Sequence, residues 1–217
     1  MRRIVVLGLV AVMLMVASSA SAQWYMGLKL AGTAGQEALF NEWYWSYYYR
    51  DIMSNDNDGF IDNTQMIFGY SMDTFDVELN LGYGNEKLSY DSEEQGRYTE
   101  EISYTKYVMG LSGLYHLMGN DTMGLDAGVR FQLESEAWKW DESDSRVEWE
   151  DKLSGWAVGP VLRGRWYLAD GAMALGPEVF FRYSSKKYTE DYPDRADYEL
   201  DVTGMGLEYA LRLDFMF

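Results

Sequence analysis

In the last twelve residues of the chain every second side chain is apolar, and no other feature constrains the fold as much. The apolar members occupy every second position and are Tyr209, Leu211, Leu213, Phe215 and Phe217. Between them stand the charged residues Glu208, Arg212 and Asp214. A period of two indicates a β-strand with one apolar and one charged face.

Comparable alternation occurs eight times along the chain. The predicted strands cover approximately 24–32, 64–72, 75–83, 104–117, 123–133, 154–168, 173–183 and 202–217. Their connections alternate between short ones near 73–74, 118–122 and 169–172 and long ones at 33–63, 84–103, 134–153 and 184–201. This pattern predicts an all-β fold, an eight-stranded antiparallel transmembrane β-barrel of up-and-down topology with short periplasmic turns and long extracellular loops.

The two faces of the predicted strands differ completely in polarity. One face is apolar and has aromatic residues near its two ends, namely Trp24, Phe75, Trp166, Phe215 and Phe217 on one side and Tyr83, Tyr107, Trp156 and Tyr183 on the other. The other face holds the strand charges, which are Lys29, Lys106, Arg130, Arg163, Arg165, Arg182 and Arg212 with Asp76, Glu78, Asp126, Glu178, Glu208 and Asp214. In a membrane barrel the charged face lines the interior, whereas a soluble barrel would reverse the two faces. The aromatic ends favour the membrane barrel.

The N-terminus has the pattern of an export signal. Arg2 and Arg3 precede an apolar run over 4–16, and Ala20-Ser21-Ala22 provides a small-x-small cleavage site. This pattern predicts a signal peptide at 1–22, cleavage after Ala22 and a barrel domain at 23–217. The chain contains no Cys, which excludes disulfides, thiolate chemistry and a lipoprotein anchor.

The chain is strongly acidic, with 35 Asp and Glu against 18 Lys and Arg, and its formal net charge is −17. Nucleic acid is therefore excluded as a partner, because phosphate binding requires the opposite sign. Most of the acidic residues fall in the long connections, which places the acidity in the predicted extracellular loops.

Three stretches resemble one known family. The start Trp24-Tyr-Met-Gly-Leu-Lys-Leu-Ala-Gly32, the run Ile67-Phe-Gly-Tyr-Ser-Met-Asp-Thr-Phe75 and the terminal strand resemble OmpA/OmpX-like outer-membrane β-barrel proteins. Since the sequence stops at Phe217 without a peptidoglycan-binding domain, the OmpX-like members that consist of a barrel alone are the closer comparison.

The resemblance implies an integral outer-membrane protein of a Gram-negative bacterium, with a role in envelope integrity, adhesion or host interaction. It also implies the partners: outer-membrane lipid and lipopolysaccharide, the barrel-assembly machinery and an unidentified extracellular ligand. In this family the machinery reads the terminal strand, which makes Tyr209, Leu211, Leu213, Phe215 and Phe217 the predicted insertion signal.

The lone histidine argues against catalysis. Outer-membrane barrel enzymes resemble one another in having a His near the outer rim, whereas His116 precedes a predicted periplasmic turn. A general base at that end could not reach an outer-leaflet lipid or an extracellular peptide. We therefore expect a polar rim residue and no enzyme activity.

The first long connection contains two further candidates. Asp56, Asp58 and Asp62 resemble the centre of a calcium loop, but Ser54 and Gln65 replace its first and last ligands, so a solvated turn is the favoured interpretation. No cofactor is expected, and a divalent cation in this loop is the alternative left open. The aromatic run 43–49 indicates either a binding surface or packing of extended strands.

The inward charges predict a closed lumen, because the interior of an eight-stranded barrel is just wide enough for side chains to fill. The predicted ion-pair belt consists of Lys29, Glu78, Asp126, Arg163, Arg165, Glu178, Arg212 and Asp214. Within it, Arg163 and Glu178 should face each other across the turn near 170–171. These features predict a structural or surface-interaction role carried by acidic, aromatic-bearing loops. The alternatives are a small or gated ion-conducting pore and, third, a lipid-modifying enzyme.

Overall fold

Eight antiparallel strands form a closed barrel. The computed structural model describes residues 23–35, 63–92, 98–142, 148–191 and 198–217. The strands are β1 (Gln23–Gly35), β2 (Asn63–Ser71), β3 (Phe75–Ser92), β4 (Tyr98–Gly119), β5 (Met123–Glu142), β6 (Glu148–Leu168), β7 (Met173–Asp191) and β8 (Tyr198–Met216). Each strand pairs with its sequence neighbours, so the predicted up-and-down topology is confirmed.

The first and last strands close the ring. β1 pairs with β8 from Tyr25 opposite Met216 to Gly35 opposite Gly206. The seam is completed at the end of the chain, where the Phe217 backbone N–H donates to the Trp24 carbonyl oxygen at 2.9 Å. Closure gives every strand a neighbour on both sides, which is the condition for a sheet to cross the bilayer core.

The apolar face of each strand points outward and the charged face points inward. Leu28, Phe131 and Leu162 are exposed, whereas Lys29, Arg130 and Arg163 beside them in sequence are buried. The reversed arrangement of a soluble barrel is therefore wrong. Among the residues that the structure describes, no helix is long and apolar enough to cross a bilayer.

The predicted aromatic ends form outward-facing groups near the two ends of the apolar band. Beyond the middle of the strands, the Tyr83 and Tyr107 rings lie 5.2 Å apart and the Trp156 and Tyr183 rings 5.8 Å apart, between centroids. At the opposite end, Trp24 is exposed and contacts Tyr70 at 4.6 Å. This arrangement agrees with two interfacial aromatic girdles.

The strands are longer than the sequence predicted. β3 to β8 continue into most of 84–103, 134–153 and 184–201, which the sequence analysis assigned to loops. In the extension of β5, Glu136 and Trp138 face inward and are buried, while Lys139 faces outward and is exposed. The outward face becomes polar beyond the apolar band because it no longer meets lipid, so a search for outward apolar residues ends each strand too early.

Candidate functional site

The barrel interior is the best-defined candidate site, and charged side chains fill it. The basic members are Lys29, Lys106, Arg130, Arg163, Arg165, Arg182, Lys186 and Arg212. The acidic members are Asp76, Glu78, Asp126, Glu134, Glu136, Asp151, Glu178, Glu208 and Asp214. Alternation along each strand directs these side chains to a common axis, and the two signs nearly balance.

Arg163 of β6 is the centre of the lower half of the interior. Its guanidinium donates to Asp126 of β5 at 2.7 Å and to Asp76 and Glu78 of β3. Its neighbour Arg165 binds the second oxygen of Asp126, also at 2.7 Å. One cation thus joins three carboxylates from two strands across the bore. Such pairing offsets the cost of burying each charge.

Glu178 of β7 is the corresponding acidic centre. It contacts Lys29 at 3.1 Å, Arg130 at 2.8 Å and Arg212 at 2.8 Å. Arg212 also contacts Glu78 and Asp214, both at 2.9 Å. All eight residues of the predicted ion-pair belt therefore lie in the interior, and they contact one another within one network.

Arg163 and Glu178 were predicted to face each other, and their backbones are indeed paired in the register of β6 and β7. Their side chains take other partners. The Arg163 guanidinium binds the carboxylates of β3 and β5, whereas the Glu178 carboxylate binds cations of β1, β5 and β8. Long side chains cross the narrow bore, so strand register alone does not determine the pairing.

A second charged group lies above the belt, in the strand extensions. Arg182 binds Glu134 at 2.6 Å, and Lys186 binds Glu134 at 2.8 Å and Glu136 at 3.6 Å. The predicted loops at 134–153 and 184–201 contain Glu134, Glu136 and Lys186, so these residues were not expected in the interior. The alternation of Glu134, Glu136 and Trp138 continues the inward face of β5 and is the signal that could have identified them.

The two charged groups are connected. Glu208 lies 2.5 Å from Lys29 of the belt and 3.7 Å from Arg182 of the upper group. Lys106 continues the chain of contacts at 3.5 Å from Glu136. Paired charges therefore extend through the interior from the belt into the strand extensions.

The remaining interior is divided between an apolar and a polar wall. Leu114, Ala157, Val161 and Phe180 form a buried apolar cluster, and the Arg130 guanidinium lies 5.4 Å from the centre of the Phe180 ring. Elsewhere the interior contains uncharged polar side chains. Among them, the Asn80 amide donates a hydrogen bond to the Ser112 hydroxyl at 3.3 Å. Side chains of both kinds contribute to filling the barrel.

Tyr25 is a buried partner of the belt that could not be identified from the sequence pattern. Its hydroxyl donates to Glu78 and accepts a hydrogen bond from Arg163 at 3.2 Å. The ring lies over Gly69 of β2, where an added Cβ would overlap the ring. Gly69 is thus required for the close approach of the tyrosine ring to the sheet.

His116 lies at the turn end of β4, as predicted. Its Nε2 atom is 2.8 Å from Asp76, and its Nδ1 atom is 3.3 Å from the backbone oxygen of Asp73. The side chain is one-fifth exposed, at 22%. The ring therefore connects Asp76, a partner of the belt residue Arg163, to the rim of the barrel.

The residues of the predicted insertion signal lie on the outer face of β8. Phe217 is 72% exposed, Leu211 and Phe215 are also exposed, and Tyr209 and Leu213 are half-buried. The predicted calcium-loop candidates Asp56, Asp58 and Asp62 and the aromatic run 43–49 lie outside the described residues, as does the predicted signal peptide 1–22. Within the described residues, no cluster of three or more His, Asp or Glu side chains has the arrangement of a metal site.

Solved structures share this fold. The chain is similar to a major outer membrane protein from Thermus thermophilus, with a TM-score of 0.52 and 9% identity over 91% of this chain and 100% of that protein. It is also similar to OprG from Pseudomonas aeruginosa, with a TM-score of 0.53 and 13% identity over 90% of this chain and 95% of that protein. AlkL, solved in DMPC lipid bilayers, gives a TM-score of 0.48 and 12% identity over 92% and 93% of the two chains.

No protein-family model and no curated protein matches the sequence. Identities this low establish a shared fold and nothing finer. That fold is the eight-stranded barrel of outer-membrane proteins, which is the fold that the resemblance to the OmpA/OmpX-like family implied.

Proposed function

We propose that this protein is an integral outer-membrane barrel with a closed lumen and a structural or surface-interaction role. In this proposal residues 1–22 are a cleaved export signal, and residues 23–217 insert with both termini on the periplasmic side. The observation that carries the proposal is the continuous ion-pair network, in which Arg163, Glu178 and Arg182 each contact charges from two or more other strands. A pore would leave room for ions where these side chains lie.

The lipid-facing surface supports membrane insertion. Outward apolar residues such as Leu81, Leu111, Phe131 and Phe181 are exposed on strands around the barrel. Exposed apolar surface of this extent is unfavourable in water and favourable in a bilayer. The terminal strand, which closes the barrel beside β1, is proposed to be read by the barrel-assembly machinery.

The extracellular loops are the proposed interaction surface. Residues 36–62 include the aromatic run 43–49 together with six acidic residues. Tyr and Trp supply large contact areas with little loss of side-chain entropy, so they are suited to binding another molecule. The acidic side chains of this loop favour a cationic ligand, and its aromatic side chains favour a ligand with apolar surface. A cationic or amphipathic partner therefore has the matching chemistry.

A non-enzymatic role is the favoured interpretation. The single histidine binds Asp76 and a backbone carbonyl at the periplasmic rim, remote from the outer leaflet and from any extracellular peptide. A small or gated ion-conducting pore remains the second candidate, because breaking the network would leave a narrow polar bore.

The structural and interaction roles are separable by shortening the first loop. A deletion strain is complemented with the full chain or with a variant in which a short Gly-Ser linker replaces residues 36–62. An interaction role predicts that the shortened barrel restores resistance to detergent but not adhesion to a surface or host cell. Restoration of both properties by the shortened barrel would contradict an interaction role of this loop. Heat-dependent migration in SDS serves as the folding control for both proteins.

A further inference from the structure

The outward-facing cations of the barrel are concentrated at one place. Lys139 of β5, Lys152 of β6 and Lys187 of β7, here called the outer lysine row, have side chains that are 66%, 53% and 49% exposed. Among the side chains that the structure describes, every other lysine and arginine faces the interior. Three neighbouring strands therefore carry all the outward positive charge described in a chain whose net charge is −17.

The row steps along the sheet by two residues from strand to strand. Lys152 pairs with Ala137, two residues before Lys139, and Lys187 pairs with Ser154, two residues after Lys152. The girdle residues Trp156 and Tyr183 show the same step, because Tyr183 pairs with Val158, so in a barrel of tilted strands the row runs parallel to the girdle. Lys152 and Lys187 each lie four residues beyond an aromatic residue of the outer girdle, Trp156 and Tyr183 respectively. With the rise and tilt of barrel strands, four residues correspond to about 10 Å above the apolar band. This is the layer in which the headgroups of the outer leaflet lie.

Between the girdle and the row the outer face has small hydroxyl side chains. They are Ser135 of β5, Ser154 of β6 and Ser185 of β7, and Ser135 is paired with Ser154. Short hydroxyl side chains allow a sugar ring to lie close to the sheet and offer it hydrogen bonds. A surface that rises from aromatic rings through hydroxyls to ammonium groups matches a lipid whose headgroup is a phosphorylated saccharide.

Acidic neighbours face the same row. Glu150 lies 2.7 Å from Lys152 and 3.8 Å from Lys139, and Glu199 lies 2.6 Å from Lys187. Asp201 is paired with Lys187 in the register of β7 and β8. Ion pairs at exposed sites contribute little free energy, and each ammonium has three donors. The lysines therefore retain donors for an additional anion.

We propose that the outer lysine row binds the phosphate groups of the phosphorylated glycolipid of the outer leaflet, lipopolysaccharide, while Ser135, Ser154 and Ser185 contact its saccharide. This inference rests on the proposed function, since it requires insertion in the outer membrane. It adds a defined face, formed by β5, β6 and β7, and named residues for a partner that the family resemblance implies only in general.

Native mass spectrometry of the folded protein in non-ionic detergent tests the inference. The probes are diphosphorylated lipid A, its monophosphorylated form and phosphatidylglycerol. We expect the wild type to bind the diphosphorylated lipid most tightly. The combined changes Lys152→Gln and Lys187→Gln should weaken that binding about tenfold, since charge-assisted hydrogen bonds are lost. The matched control, Glu199→Gln with Asp201→Asn at the same height, should bind the lipid at least as tightly as the wild type.

Two results would overturn the inference. The first is unchanged binding of diphosphorylated lipid A by the lysine variant, and the second is equal binding of phosphatidylglycerol and lipid A by the wild type. Heat-dependent migration in SDS is measured on every sample. If the wild type lacks this behaviour, it is the proposed function that fails, whereas loss of lipid discrimination in a correctly folded barrel contradicts the inference alone.

Discussion

At the scale of single residues, the interior is held together by charges that reach across the bore as well as to adjacent strands. Arg163 and Glu178 are neighbours in register, yet each binds carboxylates or cations of other strands. Removing one member of such a network leaves its partners buried and uncompensated, which costs several times more than losing an exposed pair.

A double-mutant cycle tests this assignment of partners. Glu178→Ala should destabilise the barrel by about 3 kcal/mol, because three buried cations lose a carboxylate. Combining it with Arg130→Ala should recover about 2 kcal/mol as coupling energy, and combining it with Arg163→Ala should recover less. Urea unfolding in lipid vesicles measures all three free energies. A larger coupling for Arg163 than for Arg130 would contradict the contacts described above.

The approach of Tyr25 to Gly69 gives a steric prediction. A Cβ at Gly69 would overlap the Tyr25 ring, so Gly69→Ala should displace the ring from the belt and cost about 2 kcal/mol. Gly113 is the matched control, since a Cβ there would meet no atom within 4 Å. Gly113→Ala should therefore leave the unfolding free energy nearly unchanged. If both changes lowered the unfolding free energy equally, the position of the Tyr25 ring would not depend on the absence of a Cβ at Gly69.

At the scale of the strands, β8 combines two tasks. It closes the barrel against β1 and presents its apolar face to the lipid, with Phe217 more exposed than Met216. The two terminal residues thus differ in facing while lying next to each other in sequence, which makes them a matched pair for testing the insertion signal.

Phe217→Ser should impair assembly into the outer membrane far more than Met216→Ser. The physical reason is that successive side chains of a strand point to opposite faces, so that Phe217 faces outward and Met216 faces inward. Quantification of heat-modifiable protein in outer-membrane fractions is the measurement. Comparable assembly of the two variants would remove the terminal aromatic residue from the proposed signal.

The strands also show how far the sequence determines the structure. Within the lipid band, inward charges such as Arg163 and outward apolar residues such as Leu162 alternate so regularly that strand number, facing and topology follow from the pattern. Beyond the band the outward face is also polar, and the pattern loses its contrast at Ser135 and Lys139. The partners of Arg163 and Glu178 could not be predicted either, because they depend on how the eight strands close and tilt.

At the scale of the whole molecule, a closed ring of hydrogen-bonded strands surrounds an interior of paired charges. Such a barrel should resist detergent because it has no edge strand and the network ties non-adjacent strands together. Unboiled folded protein should therefore migrate differently in SDS from boiled protein. Identical migration of a sample shown to be folded by circular dichroism would count against a closed barrel.

The longer strands change the outline of the molecule. The extension of β5 beyond Leu133 covers nine residues, which corresponds to a height of about 20 Å above the apolar band. The extensions of β3 to β8 thus continue the sheet above the apolar band, whereas β1 ends at Gly35 and β2 begins at Asn63.

The claim that the lumen is closed is tested most directly by conductance in a planar lipid bilayer. Folded wild-type protein should give no steady conductance, because the network from Asp126 through Glu178 to Glu136 occupies the bore. Glu178→Ala should produce current fluctuations by freeing part of that bore, and a pore-forming protein inserted in the same bilayers confirms that the recording detects open channels. Steady open-channel conductance of the wild type would contradict the closed lumen and favour the ion-conducting pore.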